Sequence, residues 1–403
     1  MSRFWEAVSI GLLLSITLLP DISLGGSLPS VRPEDTLIFL LLLLGARRLK
    51  LPNASDRRFN NYLVLLLITG SWMAVCLLGN GRFLRISDHF EFYKLAKYAI
   101  LAIFGYAVLS RYPAKHCDRL MYVVFALLAT FNLANYLDLF GFNHSIMPWY
   151  TSADRIASFG QDSMGNPATR RMLGTMGNPN NNGALWSLVA TYFLSRQVGK
   201  IYHLPLFLIS LGMVMLSGSR TAFVGVIAIV FLYWLIGRHS AGRLALSLAA
   251  VALAFAVVVI FNIQYISMLW TTDLMENPSW LARLGIWKHL ADMIINSPLI
   301  GYGPNKEYFY QNNLYSENEY LLMAWRYGIL GLLMYLGLFL IPTYQALRSR
   351  VSETALLVIM ASAVMAISAL TNNPFSEPRL VAIYALVAGA FYAQRQNAPE
   401  SPS

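Results

Sequence analysis

The stretch TAFVGVIAIVFLYWLI, residues 221–236, contains no charged residue and no proline. An apolar run of this kind is typical of a helix inside a lipid bilayer, whose core takes about 20 apolar residues to cross. The run follows the tight link SGSR (217–220) and precedes the basic connector GRHSAGR (237–243). It therefore predicts one membrane-spanning helix between two polar connectors.

The composition extends this prediction to the whole chain. Apolar residues make up 57% of the 403 residues and charged residues 12%, which leaves too little polar surface to cover a soluble globule. Apolar segments recur near residues 5–19, 35–46, 61–78, 95–110, 120–137, 183–195, 203–217, 221–236, 244–263, 328–347, 354–370 and 380–394. We therefore predict an all-α integral membrane protein, a single polytopic domain over residues 1–403 with about 12 transmembrane helices.

The connectors between these segments alternate in charge. Every second connector is basic, which marks the cytoplasmic side by the positive-inside rule. These inner connectors are ARRLKLPNASDRRF (46–59), SRYPAKHCDR (110–119), SRQVGKIYH (195–203), GRHSAGR (237–243), RSRVSE (348–353) and QRQNAPESPS (394–403). The rule predicts that both termini are cytoplasmic. It also explains the net charge of +10 without a nucleic-acid partner, because the basic residues form no single stripe.

The predicted outer connectors are residues 20–34, 79–94, 138–182, 217–220, 265–327 and 371–378. Loops as long as 138–182 and 265–327 are usually functional or disordered. The second lacks the composition of a disordered linker and is aromatic throughout, so we expect a partly helical, folded periplasmic cap. Within it, Ala282–Ile295 predicts an amphipathic helix at the membrane surface.

The predicted spans from 120–137 onward contain no internal Asp, Glu, Lys or Arg. Ion-coupled transporters usually carry ionisable groups at membrane depth. The pattern therefore disfavours a transporter.

Basic residues nevertheless accumulate on the outer side, against the positive-inside trend. They are Arg82, Arg85, Arg155, Arg170, Arg171, Arg220, Arg283 and Lys288. Arginine is permanently charged and can bind phosphate oxygens in pairs, so these residues indicate an anionic ligand such as a pyrophosphate. The alternative is contact with lipid headgroups. Function is favoured for Arg220, in the tight link, and for Arg283, in the predicted cap.

Several motifs occur in a fixed order on the outer side. GTMGNPNNNG (174–183) precedes one span, and GSRTA (218–222) begins another. The cap loop then carries Arg283, Trp287, SPLIGYGP (297–304) and SENEYLLMAWRYGILG (316–331). In order, spacing and topological side, these motifs resemble the O-antigen ligase and O-antigen polymerase superfamily of bacterial envelope glycan enzymes.

The resemblance implies a glycosyltransferase that requires neither a metal nor another cofactor. Its donor would be an undecaprenyl-pyrophosphate-linked glycan at the outer leaflet of the bacterial inner membrane. Its other partners would be a glycan acceptor, membrane lipids, and envelope assembly proteins such as a chain-length regulator. No Asp-x-Asp motif or His cluster occurs in an outer loop, which agrees with metal-independent chemistry.

The family pattern closes the cap loop with His-Asn, whereas this chain has Glu317 and Asn318. A carboxylate can replace imidazole as the general base for the acceptor hydroxyl, a role worth about 10²- to 10⁴-fold in rate. Arg220 and Arg283 would stabilise the charge on the departing pyrophosphate. The alternative role of Glu317 is a charge that favours the N-terminus of the following helix. Glu319 would point to a different helix face.

Further substrate contacts are predicted around these groups. A second phosphate contact is predicted from Arg155, Arg170 or Arg171. Within the segment 176–183, Asn178 and Asn180 would line a sugar site, and Asn182 would cap the next helix. The remaining predicted substrate contacts are Lys288, Tyr302 and Asn318.

Polymerase and ligase share a fold and a donor and differ in the acceptor. A polymerase transfers the glycan to the terminal sugar of another lipid-linked repeat, and a ligase transfers it to the lipid A core oligosaccharide. The absence of the ligase histidine at position 317 favours the polymerase. A lipid-linked glycan flippase or exporter is a further alternative, although the later spans lack the charged lining such a passage requires.

Overall fold

The computed structural model describes residues 3–22, 31–40, 56–81, 85–160, 170–196, 202–237, 278–349 and 352–396, and four single residues between 242 and 256. Across these residues the chain is helical, and extended pairing is limited to one isolated bridge between Ile22 and Val31. The helices are α1 (Arg3–Thr17), α2 (Pro33–Leu40), α3 (Arg57–Gly79), α4 (Ile86–Ala107), α5 (Ala114–Leu137), α6 (Phe142–Ser145), α7 (Ala153–Phe159), α8 (Pro179–Arg196), α9 (His203–Ser217), α10 (Arg220–Gly237), α11 (Pro278–Asn296), α12 (Lys306–Gln311), α13 (Glu319–Leu347), α14 (Glu353–Ser368) and α15 (Pro378–Gln396).

Four helices in the described ranges are long and apolar enough to cross a membrane. They cover Arg57–Gly79, Ser87–Arg111, Lys115–Leu137 and Glu319–Leu347. Shorter apolar helices cover Phe4–Thr17, His203–Leu216, Arg220–Ile236 and Glu353–Ser368. This set agrees with a helical membrane protein, and the total of about 12 spans stays a prediction. Nearly all of the predicted span 244–263, and part of the span 35–46, lie outside the described residues.

Short polar side chains fix where three of the helices begin. Asp56 accepts a backbone N–H from the first turn of α3 at 3.3 Å. Asn318 does the same for α13 at 3.1 Å, and Ser352 does so for α14 at 3.1 Å. Each acceptor satisfies one of the free N–H groups at a helix start. Glu317 therefore lies just outside α13.

Helix α13 is broken at Gly328, where the backbone has φ 68° and ψ −179°. The loop after α11 occupies the break. The carbonyl of Pro298 accepts the N–H of Ile329 at 2.8 Å, and the N–H of Tyr302 donates to the carbonyl of Trp325 at 2.9 Å. The motif SPLIGYGP is thus a wedge that supplies partners for the backbone at the break.

Where the structure describes them, residues of the predicted inner and outer connectors lie at opposite ends of the helices. At one end, Arg196, the last residue of α8, forms ion pairs with Glu353 and, at 3.4 Å, with Asp118. At the other end, near the start of α8, Asn181 accepts a hydrogen bond from Asn372 at 2.6 Å. Asn372 belongs to the α14–α15 link, defined here as residues 371–378. The assignment of either end to the periplasm stays a prediction.

Both long predicted loops contain helices. Helices α6 and α7 lie within residues 138–182, and α11 and α12 lie within residues 265–327. The predicted helix Ala282–Ile295 is confirmed as part of α11, whereas its position at a membrane surface stays a prediction.

Candidate functional site

The Asn-rich motif 174–183 forms a tight turn that leads into α8. Gly174 has φ +58° and donates its N–H to the side chain of Asn135 at 2.8 Å. Asn182 is fully buried and donates to the side-chain oxygen of Asn132 at 2.7 Å. The turn is therefore fixed to α5 by buried amide hydrogen bonds.

The prediction that Asn182 caps α8 is wrong. The helix starts earlier, at Pro179, because a proline is well suited to the first helical position. Asn178 precedes it, and its side-chain oxygen accepts the N–H of Asn180 at 2.9 Å and that of Asn181 at 3.3 Å. Asn178 thus has the capping role, and Asn182 lies inside the helix.

The adjacent residues Arg170 and Arg171 have different surroundings. Arg171 donates to the side chain of Asn180 at 2.7 Å and to the carbonyl of Ser217 at 3.0 Å, which joins the Asn-rich turn to the link before α10. Arg170 lies over the ring of Tyr136, 4.3 Å from its centroid. Its Nε and Nη2 atoms are buried, and they have no hydrogen-bond acceptor among the residues that the structure describes.

Arg283 and Glu317 form an ion pair between α11 and the residue before the Asn318 cap. Both side chains are partly exposed, at 27% and 38%. Glu317 has φ +42°, an uncommon backbone conformation for a residue with a side chain. Trp287 also ties α11 to this segment, because its indole N–H donates to the carbonyl of Ser316 at 2.5 Å. The structure thus pairs the two predicted catalytic residues of the loop 265–327.

Glu319 faces away from this pair and is fully buried. Its carboxylate accepts the backbone N–H groups of Phe375 and Ser376, both at 3.1 Å, and the hydroxyl of Ser376 at 2.6 Å. The two carboxylates have different partners, but not because they point to different faces of one helix: Glu317 precedes the Asn318 cap, and only Glu319 belongs to α13.

The α14–α15 link connects the cap side of the site to the Asn-rich side. Its residue Thr371 hydrogen-bonds with Thr221, which follows Arg220 at the start of α10. Its residue Asn372 donates to Asn181, as described above. Through Phe375 and Ser376 the same link contacts α13. The sequence offered only weak evidence for this role, since TNNPFSEP looks like an ordinary polar turn.

The other predicted site residues are more peripheral or have structural partners. Arg220, Arg155 and Lys288 are exposed at the start of α10, on α7 and on α11, respectively. The Tyr302 hydroxyl donates to the carbonyl of Met293 at 3.2 Å. Asn318 caps α13. Their roles in substrate binding stay predictions.

A buried cluster of charged residues near the site was not predicted from the sequence. The carboxylate of Glu91, on α4, lies 3.0 Å from the amine of Lys94 and 3.1 Å from the amine of Lys306. It lies 3.7 Å from the guanidinium of Arg326. Burial lowers the pKa of the Lys306 amine, and the charge of Glu91 opposes this shift. The i, i+3 spacing on one helix could have revealed the Glu91–Lys94 pair, whereas the contacts with Lys306 and Arg326 come from other helices.

This cluster corrects one premise about the later spans. Arg326 was placed outside the predicted span 328–347, but the helix begins at Glu319, so Arg326 lies inside the candidate span Glu319–Leu347. The predicted span 328–347 itself contains no charged residue, but the longer candidate span includes Arg326. The side chain is 5% exposed and faces a carboxylate, as a buried charge requires.

Residues 205–336 match the model of a family described as O-antigen ligase. The resemblance to the O-antigen ligase and polymerase superfamily is confirmed. The O-antigen ligase match covers GSRTA, Arg283, Glu317 and the break at Gly328. It ends before the α14–α15 link, and the Asn-rich turn precedes it. No curated protein matches the chain.

The O-antigen ligase match supports an enzyme of lipopolysaccharide synthesis in a bacterial membrane. Such an enzyme would act on lipid-linked glycans in general. The match does not separate a ligase from a polymerase, since both belong to the superfamily.

Proposed function

We propose that the protein polymerises undecaprenyl-pyrophosphate-linked O-antigen repeat units at the periplasmic face of the inner membrane. The observation that carries this proposal is the Arg283–Glu317 ion pair, at the position where the family pattern has its His-Asn. The pair supplies an anion-binding group and a proton acceptor side by side. The α14–α15 link supports the proposal because it contacts Thr221, next to Arg220, and Asn181, next to Asn180.

The reaction requires a new bond from the acceptor hydroxyl oxygen to C1 of the donor sugar. The bond from C1 to the pyrophosphate oxygen breaks, and the lipid pyrophosphate leaves with the electron pair. The hydroxyl proton passes to the carboxylate of Glu317. Arg283 and Arg220 stabilise the negative charge that grows on the leaving group.

Substrate binding would also separate the ion pair. Phosphate oxygens can replace the carboxylate as partners of Arg283, because a guanidinium binds both anions through the same fork of donors. The carboxylate of Glu317 is then free to accept a proton. Arg170 is the preferred second phosphate contact, because two of its buried donors have no acceptor within the described ranges.

Asn180 would contact the sugar next to the pyrophosphate. Its side-chain oxygen accepts from Arg171, which orients the amide so that its NH₂ group is free to donate to a sugar hydroxyl. Both termini are cytoplasmic in this scheme. The acceptor, membrane lipids and a chain-length regulator are the other proposed partners.

A ligase is the second candidate function, because the matching family is described as O-antigen ligase. It would use the same donor and the same residues, with lipid A core as acceptor. Glu317 in place of the family histidine favours the polymerase.

The lipopolysaccharide of a deletion strain distinguishes the two functions. A core that carries a single repeat unit would support the polymerase. A bare core with accumulating lipid-linked polymer would overturn the polymerase and support the ligase.

Complementation of the same strain tests the base. We expect Glu317→Gln to leave the deletion phenotype in place, at expression matched to wild type. Glu307→Gln is the control, because Glu307 also pairs with an arginine, Arg85, and lies in the same cap loop. A normal ladder with Glu317→Gln would remove Glu317 as the base.

A further inference from the structure

The buried carboxylate of Glu319 is a structural contact between α13 and the α14–α15 link. It receives three hydrogen bonds from Phe375 and Ser376, and its side chain is fully buried. A buried carboxylate is unfavourable unless donors satisfy it, and here two backbone N–H groups and one hydroxyl do so. The first residue of α13 is therefore bonded firmly to the link.

The far end of the link is fixed to other elements. Glu377 forms an ion pair with Arg32 at 3.2 Å and accepts from Asn181 at 3.3 Å. Directly after the link, Arg379 donates to the carbonyl of Thr175, in the Asn-rich turn, at 2.6 Å. The link is thus held between the start of α13 on one side and the Asn-rich turn on the other.

We propose that Glu319 is a positioning residue that locks the α14–α15 link against α13. The lock sets the distance between Glu317 on the cap side and Arg220 and Asn180 on the other side. This inference rests on the proposed function, because it takes Glu317 as the base. Glu319 touches no reacting atom and acts through the backbone at 375–376.

The chemistry of the contact gives a discriminating pair of variants. In Glu319→Gln, the side-chain oxygen still accepts both backbone N–H groups, and the new NH₂ group can donate to the hydroxyl of Ser376. In Glu319→Ala, two buried N–H groups lose their acceptor. A positioning role tolerates Gln and fails with Ala, whereas a role in proton transfer fails with both.

A disulfide reports the position of the link independently of activity. The hydroxyls of Thr221 and Thr371 are hydrogen-bonded across the α10–link contact, so cysteines at both positions would lie within bonding range. We would introduce Thr221→Cys and Thr371→Cys into the full chain with Cys76→Ser and Cys117→Ser. The rate of cross-linking in membranes is then measured with a thiol oxidant and maleimide–polyethylene glycol labelling.

Activity is measured separately in chains without the new cysteines, as kcat and KM for lipid-linked repeat units. We expect Glu319→Ala to lower kcat at least tenfold and the cross-linking rate several-fold. Glu319→Gln should keep both within about threefold of wild type. Glu317→Gln should lose activity and cross-link normally.

Each contrary result has a distinct meaning. Glu319→Gln that is inactive but cross-links normally would overturn the positioning role, as would Glu319→Ala with both measurements unchanged. If Glu317→Gln stays active while Glu319→Ala loses activity and cross-linking, Glu317 is not the base. The positioning role of Glu319 would then still be supported. If Glu319→Ala does not accumulate in membranes, Ser376→Ala replaces it; a smaller decrease in both measurements is expected, and no change in either would overturn the proposal.

Discussion

Arg283 and Glu317 are each the other's partner, so neither acts alone. The guanidinium orients the carboxylate in the resting protein and binds the leaving group in the proposed reaction. Removing either residue leaves the other without its partner. The two substitutions should therefore be strongly coupled, as expected for residues in contact.

A double-mutant cycle tests this coupling. We expect Arg283→Ala and Glu317→Gln each to reduce kcat/KM about 10²-fold or more, and the double variant to lose much less than the product of the two effects. Activity is measured on purified lipid-linked repeat units. Arg85→Ala, which breaks the matched Arg85–Glu307 pair, should stay near wild type. Fully multiplicative losses would contradict the coupling.

Gly174 is a second residue whose identity is set by its surroundings. Its φ of +58° disfavours any side chain, and an added Cβ would lie 2.1 Å from the side-chain oxygen of Asn132 and 2.3 Å from that of Asn182. The left-handed backbone conformation alone costs a residue with a side chain about 1–2 kcal/mol, and the clash adds to this cost.

Gly174→Ala should therefore destabilise the protein by more than Gly141→Ala. Gly141 has φ +71° but open space around its Cα, so its substitution adds strain without a clash. Thermal unfolding in detergent measures the difference between the two variants. Equal losses of stability would show that the contacts with the asparagines do not constrain Gly174.

At the scale of elements, α4 and α15 approach each other through glycines. An added Cβ at Gly389 would lie 1.9 Å from the carbonyl oxygen of Ala102, and one at Gly105 would lie 2.3 Å from that of Leu386. Small residues allow membrane helices to pack with their backbones in near contact.

We expect Gly389→Ala to lower the free energy of unfolding by about 1–3 kcal/mol, since overpacking forces the helices apart. Gly225→Ala on α10 is the control, because no neighbouring atom of the described residues lies within 4 Å of the added Cβ. Denaturant-induced unfolding of the detergent-solubilised variants measures this free energy. A Gly389→Ala protein as stable as the control would contradict the close approach.

At the scale of the whole molecule, the described connector residues lie at two ends of the helices. The catalytic proposal requires that the end with α11 faces the periplasm. Lys288 on α11 and Arg348 after α13 are both exposed and belong to opposite predicted sides. In a chain without native cysteines, Lys288→Cys should react with a membrane-impermeant maleimide in spheroplasts. Arg348→Cys should react only after lysis, and the reverse pattern would contradict the orientation.

The sequence predicted the continuous apolar helices closely. The predicted spans 203–217 and 221–236 correspond to α9 and α10 within one residue, because uninterrupted apolar runs end at Gly and Ser. The start of α13 was missed by nine residues, because Gly328 and Arg326 look like the end of a span. Neither residue indicates that the helix continues through a break at which the SPLIGYGP segment supplies hydrogen-bond partners for the backbone.

By itself the sequence determined the helical, membrane-type class of the protein and its resemblance to the O-antigen ligase family over residues 205–336, because hydrophobic length, charge alternation and motif order are properties of the chain. Only the tertiary structure decided which of these residues meet. The Arg283–Glu317 pair, the buried lock of Glu319 and the cluster around Glu91 each join segments far apart in sequence. Contacts of this kind depend on how helices pack, and the order of residues along one helix does not encode them.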